Sequence, residues 1–218
     1  MGNVESITAL QASYKAALLD NDRARAVSVI EGAVASQADI VRLYLDVFQR
    51  TQREIGDLWM DGKIGVAQEH FCTAVTRHCM SILYPHVYST GKNGRRFLAL
   101  CVADELHDLG LQMVTDFLDH AGWETIYLGA SVPADEIETV VQTHRPDVVG
   151  LSVSISSRLS YAEQAIHTIR ARDDFSSVKI LVGGHAFLGN PELWRGMGAD
   201  GYGRDAAEAL AIADAVTA

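Results

Sequence analysis

The chain has 218 residues, 48% hydrophobic and 21% charged, the balance of a folded globular protein rather than a disordered one. Its formal net charge of −10 lacks the basic footprint that nucleic-acid binding leaves, so direct DNA contact is not expected. No apolar stretch approaches the ~18 residues needed to span a bilayer, and "MGNVESITAL" has neither the basic start nor the apolar centre of a signal peptide, so a soluble cytoplasmic protein is expected.

Up to residue 88 the hydrophobic period is helical. Ile7, Leu10, Tyr14 and Leu18 form one stripe, and Ile40, Leu43, Val47, Thr51, Ile55 and Leu58 a second. Phe71, Val75, His78 and Ile82 form a third, and a further helix is predicted over 22–35. "LDNDR" and "ASQAD" interrupt the pattern, with Asn21 and Ser36 as expected N-caps. Four helices with short connections predict an antiparallel bundle over 1–88. The polar, basic "STGKNGRR", residues 89–96, reads as a solvated linker.

Over 97–218 short apolar runs alternate with amphipathic helices. "FLALCVA" precedes a helix near 109–121, "ETIYLG" one near 134–144, and "DVVGLSV" one near 159–172. "VKILVGG" precedes "PELWRGMG", and a short "DGYG" edge precedes a last helix from about 205. The alternation predicts an α/β fold: a flavodoxin-like, doubly wound parallel sheet of five strands. Such sheets bind ligands beyond the carboxyl ends of their strands, at the point where strand order reverses. His107, Ser152 and Gly183–Gly184 all fall at predicted strand ends.

The order Glu105-x-His107-x-x-Gly110, then Ser152-Val153-Ser154, then Gly183-Gly184 resembles the cobalamin-binding domain family, whose pattern is Asp-x-His-x-x-Gly, Ser-x-Leu and Gly-Gly. The resemblance covers the whole second half, including "GADGYGRDAAEAL". It implies that His107 is the lower axial ligand of cobalt, replacing the cofactor's own dimethylbenzimidazole. The displaced tail then enters a slot lined by the Ser and Gly-Gly positions. Neutral imidazole suits a borderline metal, and a carboxylate on its other nitrogen, Glu105 or Asp108, fixes its tautomer. Leu109 and Gly110 continue the same motif. Ser152, Ser154 and Ser156 can hydrogen-bond a polar tail, Gly183 and Gly184 can lie against a flat heterocycle, and Tyr202 and Gly203 are expected to close the slot.

A second motif lies in the bundle. "WMDGKIGVAQEH", Trp59 to His70, resembles the Trp-x9-Glu-His motif of CarH-type light-sensing repressors. The resemblance implies that the bundle caps the upper face of adenosylcobalamin, with Trp59 against the adenosyl group and Glu69 and His70 helping to hold it. An Asp61–Gly62 turn brings residues ten apart together across a helical hairpin.

Four positions depart from these patterns. Glu105 stands for the usual Asp and Ser154 for the leucine of Ser-x-Leu. Arg158 stands where methionine-synthase-like members carry a relay serine, and its expected partner is Glu105. Met60 stands where CarH-type repressors commonly carry the histidine that captures cobalt after illumination. CarH-type repressors also have a DNA-binding domain ahead of the bundle, whereas this chain starts almost directly with it, as stand-alone antirepressors such as AerR do. The expectation is therefore a light-responsive cobalamin protein acting through self-association or a protein partner such as a transcription regulator. Light is expected to remove the upper ligand and let the bundle move relative to the sheet domain. A corrinoid carrier of a methyltransferase system, holding methylcobalamin, is the alternative.

Other signals are weaker. "GYGRDA" opens the last helix, not the first, as a dinucleotide loop should. His70, Cys72, His78 and Cys79 scatter around one helix, which argues for core packing rather than zinc. With Cys101, the cysteines number three and include no CxxC pair, fitting buried thiols in a reducing compartment. There is no nucleophile–base motif and no catalytic carboxylate pair, so hydrolysis has no support.

Overall fold

Ser6, Asp22 and Asp39 each accept a backbone N–H from three residues ahead, at 3.2, 2.9 and 3.3 Å. These side chains start α1 (Ile7–Leu19), α2 (Arg23–Ala35) and α3 (Ile40–Arg42). The expected caps do the opposite job: Asn21, at φ 57°, lies in the turn after α1, and Ser36 is the C-cap of α2. The computed structural model describes residues 6–88, 91–190 and 192–218. The chain divides into two units, Met1–Val87 and Tyr88–Ala218.

In the helical unit α3 runs on through a π-helical segment, Leu43–Gln49, into α4 (Arg50–Met60). The wider π turn buries Leu43, Tyr44, Val47 and Phe48 together. Tyr14 and Tyr44 both meet the Phe48 ring, at centroid distances of 5.5 and 5.6 Å. The last helix, α5 (Val66–Val87), buries Cys72, Val75, Thr76, Cys79, Met80, Leu83 and Val87. Its inner face is thus rotated from the expected stripe: His78 is exposed, while Phe71 and Ile82 are half-buried. The displacement follows from small polar and thiol groups, Thr76, Cys72 and Cys79, taking inner positions that a hydrophobic count assigns elsewhere. Burial pushes the Tyr14 phenol and the Cys79 thiol up, the latter to about 11.

The second unit alternates strand and helix throughout: β1 (Arg96–Val102), α6 (Leu109–His120), β2 (Glu124–Val132), α7 (Ala134–His144), β3 (Val148–Ser152), α8 (Leu159–Arg170), β4 (Lys179–Gly183), α9 (Leu193–Met197), β5 (Gly201–Gly203) and α10 (Ala206–Val216). The five strands pair in parallel in the order β2-β1-β3-β4-β5, as the alternation predicts. The order reverses between β1 and β3. Leu98, Leu100 and Val102 of β1 point to the core under α7 and α8. Phe97, Ala99 and Cys101 point to the core under α6 and α10. Glycine at 150 is what admits the Phe97 ring, because a Cβ there would lie 2.5 Å from it.

The stretch expected to be a solvated linker is structured where it is described. Lys92 donates to Asp119 (3.1 Å) and to the Trp123 carbonyl (2.9 Å). The Asn93 N–H donates to the Gly122 carbonyl at 2.8 Å, Arg95 covers the Trp123 ring, and Arg96 already belongs to β1. Its lysine and arginines serve as anchors on the sheet unit. Residues 89 and 90 lie outside the described residues.

Candidate functional site

The parallel register sets Cys101, Ser152, Gly183 and Gly203 in one row across β1, β3, β4 and β5. Beyond that row the loops after β1, β3 and β4 form the carboxyl edge, which holds the predicted residues of the sheet unit.

Glu105 is the centre of this edge. It is wholly buried, yet its carboxylate is fully engaged. Oε1 accepts from the His107 ring Nδ1 at 2.5 Å, the His107 backbone N–H at 3.0 Å and the Arg158 guanidinium at 3.1 Å. Oε2 accepts the backbone N–H groups of Ser154 (2.8 Å) and Ile155 (3.1 Å). Burial alone raises such a carboxyl's pKa; the hydrogen bonds from the His107 ring and from the backbone of His107, Ser154 and Ile155 outweigh it and lower the pKa to about 2.

With Nδ1 given to a carboxylate, the neutral His107 ring keeps its proton there and its lone pair on Nε2. The ring itself is half exposed. Of the two carboxylates weighed for this role, Glu105 takes it. Asp108 instead accepts the Tyr127 hydroxyl at 2.7 Å and stands just ahead of α6. Leu109 is buried beneath the helix start, whereas Gly110 is exposed, with open space where a side chain would stand.

Further residues escape a motif-based reading. Asp104 and Ser131 both have positive φ, 61° and 55°, and are tied together, the Asp104 N–H donating to the Ser131 hydroxyl at 3.1 Å. The Ser131 N–H donates to the Glu105 carbonyl at 2.9 Å, and Tyr161 of α8 donates to the Asp104 carboxylate at 3.2 Å. Backbone strain is therefore held on the residue preceding Glu105. Leu106, Ile155 and Leu188, exposed by 67%, 37% and 47%, follow β1, β3 and β4 respectively. Three large apolar side chains left in water on one sheet edge suit the face of a large, flat, apolar group.

Ser152 is buried at the end of β3, Ser154 is half-buried and Ser156 is exposed in the turn that opens α8. The glycines have a different physical reason from open space. Gly184, at φ 105°, has the Val153 carbonyl oxygen where its Cβ would be, and a Cβ on Gly203 would lie 3.0 Å from Ala209. Tyr202 is buried and stacks at a tilt on Phe187, 5.8 Å between centroids.

In the helical unit, α4 ends at Met60 with Asp61 as its C-cap, and Gly62 (φ 69°) turns the chain away: the Gly62 N–H donates to the Trp59 carbonyl and the Lys63 N–H to the Leu58 carbonyl. Trp59 is 43% exposed and so is not a core aromatic; Met60, which follows it, and Val66, which opens α5, are exposed too. Glu69 accepts the Thr73 hydroxyl at 2.8 Å, and Thr73 lies within 3.2 Å of Gln52 on α4. His70 is exposed, its Nδ1 3.3 Å from the Val66 carbonyl. Buried Cys72 and Cys79 beside exposed His70 and His78 make no zinc set, and no cluster of three or more metal-ligating side chains occurs among the described residues.

A doubly wound sheet with a carboxylate-braced imidazole at its carboxyl edge, and no cluster of three or more metal-ligating side chains among the described residues, suits a group that brings most of its own metal ligands. The braced Nε2 lone pair, the apolar rim and the open space over Gly110 fit a corrin, which supplies its own equatorial nitrogens. The B12 binding domain family matches residues 95–211, and a second family, also described as a B12 binding domain, matches residues 10–84. The chain belongs to the B12 binding domain family, and its cofactor is cobalamin. It is 22% identical over 215 residues to a corrinoid protein of Desulfitobacterium hafniense, covering 96% of this chain and 98% of that one. It is 30% identical over 159 residues to the HTH-type transcriptional repressor CarH of Myxococcus xanthus, covering 72% of this chain and 52% of the repressor. The fold matches that of the monomethylamine corrinoid protein of Methanosarcina barkeri with a TM-score of 0.86 at 18% identity, over 95% and 98% of the two chains.

Proposed function

We propose that this protein is a cobalamin-dependent light sensor whose signal passes to a protein partner or to its own assembly. His107 serves as the lower axial ligand through Nε2, with Glu105 holding the ring. Ser152, Ser154 and Ser156, with Gly183, Gly184, Tyr202 and Gly203, take the displaced tail, and Trp59, Glu69 and His70 act on the upper ligand. Bound adenosylcobalamin supplies a cobalt–carbon bond that visible light cleaves. The observation that carries the reading is the exposed Trp59, ten residues from a Glu69 pinned by Thr73 and followed by an exposed His70. A bundle needs none of these for its core. Loss of the upper ligand would bias a two-state element in the helical unit, and that bias is the signal.

A second reading, a corrinoid carrier serving a methyltransferase, is favoured by one observation: the chain spans nearly the whole length of the Desulfitobacterium corrinoid protein. One experiment separates the two. The protein is loaded with adenosylcobalamin in darkness and illuminated, and its visible spectrum and oligomer size are followed. The sensor gives a spectral change with a change in assembly, or in capture of a defined partner; Trp59→Ala weakens the adenosylcobalamin complex more than the methylcobalamin one. Unchanged spectrum and size, with methyl turnover by a partner methyltransferase, sinks the sensor.

A further inference from the structure

Arg158 lies in the turn Ser156–Arg158 that opens α8, with its side chain only 22% exposed. Its guanidinium donates to Glu105 Oε1, the same oxygen that holds the His107 ring. The other oxygen of that carboxylate is held by the backbone of Ser154 and Ile155, two and three residues past Ser152. A single buried side chain thus ties the loop after β1 to the loop after β3. Aspartate, one methylene shorter, has less reach for this double task. Glu105 thus joins the 154–155 backbone to the imidazole through its two oxygens.

We propose that Arg158 is a positioning residue that locks Glu105 between the two loops, so that filling of the tail slot by the nucleotide arm of cobalamin and ligation of cobalt by His107 are mechanically coupled. The proposal rests on the cobalamin site described above and extends it: without Arg158 the carboxylate keeps His107 and the Ser154 and Ile155 amides but loses its charged partner in the β3–α8 turn, so it follows that loop less rigidly. Coupling between two subsites is reciprocal, so the arm favours histidine ligation and ligation favours the arm.

The test compares cobalamin with cobinamide, the same macrocycle without its nucleotide arm. Each is bound to wild type, Arg158→Ser and Arg158→Lys whose histidines carry 15N, and the cobalt(II) forms are examined by electron paramagnetic resonance, where the doublet from an axial histidine nitrogen is told apart from the triplet of the cofactor's own benzimidazole. In wild type, cobalamin is expected to show roughly 5-fold or more greater histidine-on to histidine-off ratio than cobinamide. In Arg158→Ser the difference between the two corrinoids shrinks, with cobalamin falling toward the cobinamide value while the Ser154 and Ile155 amides keep a residual tie. Arg158→Lys, which keeps the charge on a single nitrogen, falls between them and serves as the folded control. Equal ratios for both corrinoids in wild type, or a cobalamin ratio in both variants unchanged from wild type, overturn the coupling. A wild-type protein that shows no axial imidazole with either corrinoid refutes the His107 assignment itself, a distinct outcome.

Discussion

Glu105 accepts five hydrogen bonds while fully shielded from water, and its ionisation is therefore tied to folding. A carboxyl held at about 2 in the folded protein against an ordinary value of 4.5 contributes roughly 3 kcal/mol of stability. The sign follows from the lowered value: the contribution is whole above pH 4.5 and lost as pH falls through about 2. Glu105→Gln keeps the shape and removes the charge, leaving the Arg158 guanidinium without its counter-ion. The variant should be less stable than wild type by roughly 3 kcal/mol at pH 7, with the gap closing between pH 4.5 and 2. Urea unfolding across that range checks it; a gap that stays constant with pH shows that the carboxylate is not ionised against its partners. The brace on His107 was legible as one of two choices, Glu105 or Asp108, because side-chain chemistry at short spacing limits the candidates, and the Arg158–Glu105 partnership was legible from complementary charge at two motif positions. The Ser154 and Ile155 amides were not, since every residue carries an N–H and only the folded loop decides which ones aim at the carboxylate.

Elements were placed well by alternation and less well by their ends. Strand–helix order and the carboxyl-edge site follow from runs such as "FLALCVA" and "DVVGLSV". The caps fell one to three residues late, at Asp22 and Asp39, because Asn, Asp and Ser neighbours compete for one geometry and backbone φ picks the winner. The role of Gly-Gly shows the same limit. Gly184 sits at φ 105°, ψ 167°, a region open essentially to glycine, with the Val153 carbonyl in the Cβ direction. Gly184→Ala should therefore cost about 3 kcal/mol or more, combining backbone strain with a clash that no side-chain rotation relieves. Gly189→Ala, where a Cβ meets nothing within 4 Å, should change stability by only a few tenths of a kcal/mol. Paired denaturation curves decide; equal midpoints for the two variants defeat the packing argument and return Gly184 to a role in ligand clearance alone.

At the scale of the molecule, output depends on what the surface can recognise. Acidic residues outnumber lysine and arginine by 28 to 18, and the arginines of the sheet unit are largely neutralised by neighbours: Arg95 by Asp214, Arg96 by Glu124, Arg170 by Asp200, Arg172 by Asp174 and Arg204 by Glu208. A phosphate backbone is held by clustered free cations whose counter-ions are released, and pairs scattered around a sheet cannot supply that term. The protein, with or without cobalamin, should leave duplex DNA unshifted in a gel at about 10 μM and about 50 mM salt, where non-specific binders already retard it. A shift that weakens steeply with added salt would mean that a basic face exists. Absence of a shift leaves protein contacts as the route for a signal, and sedimentation of the dark and illuminated holoprotein then tells self-association from capture of a partner.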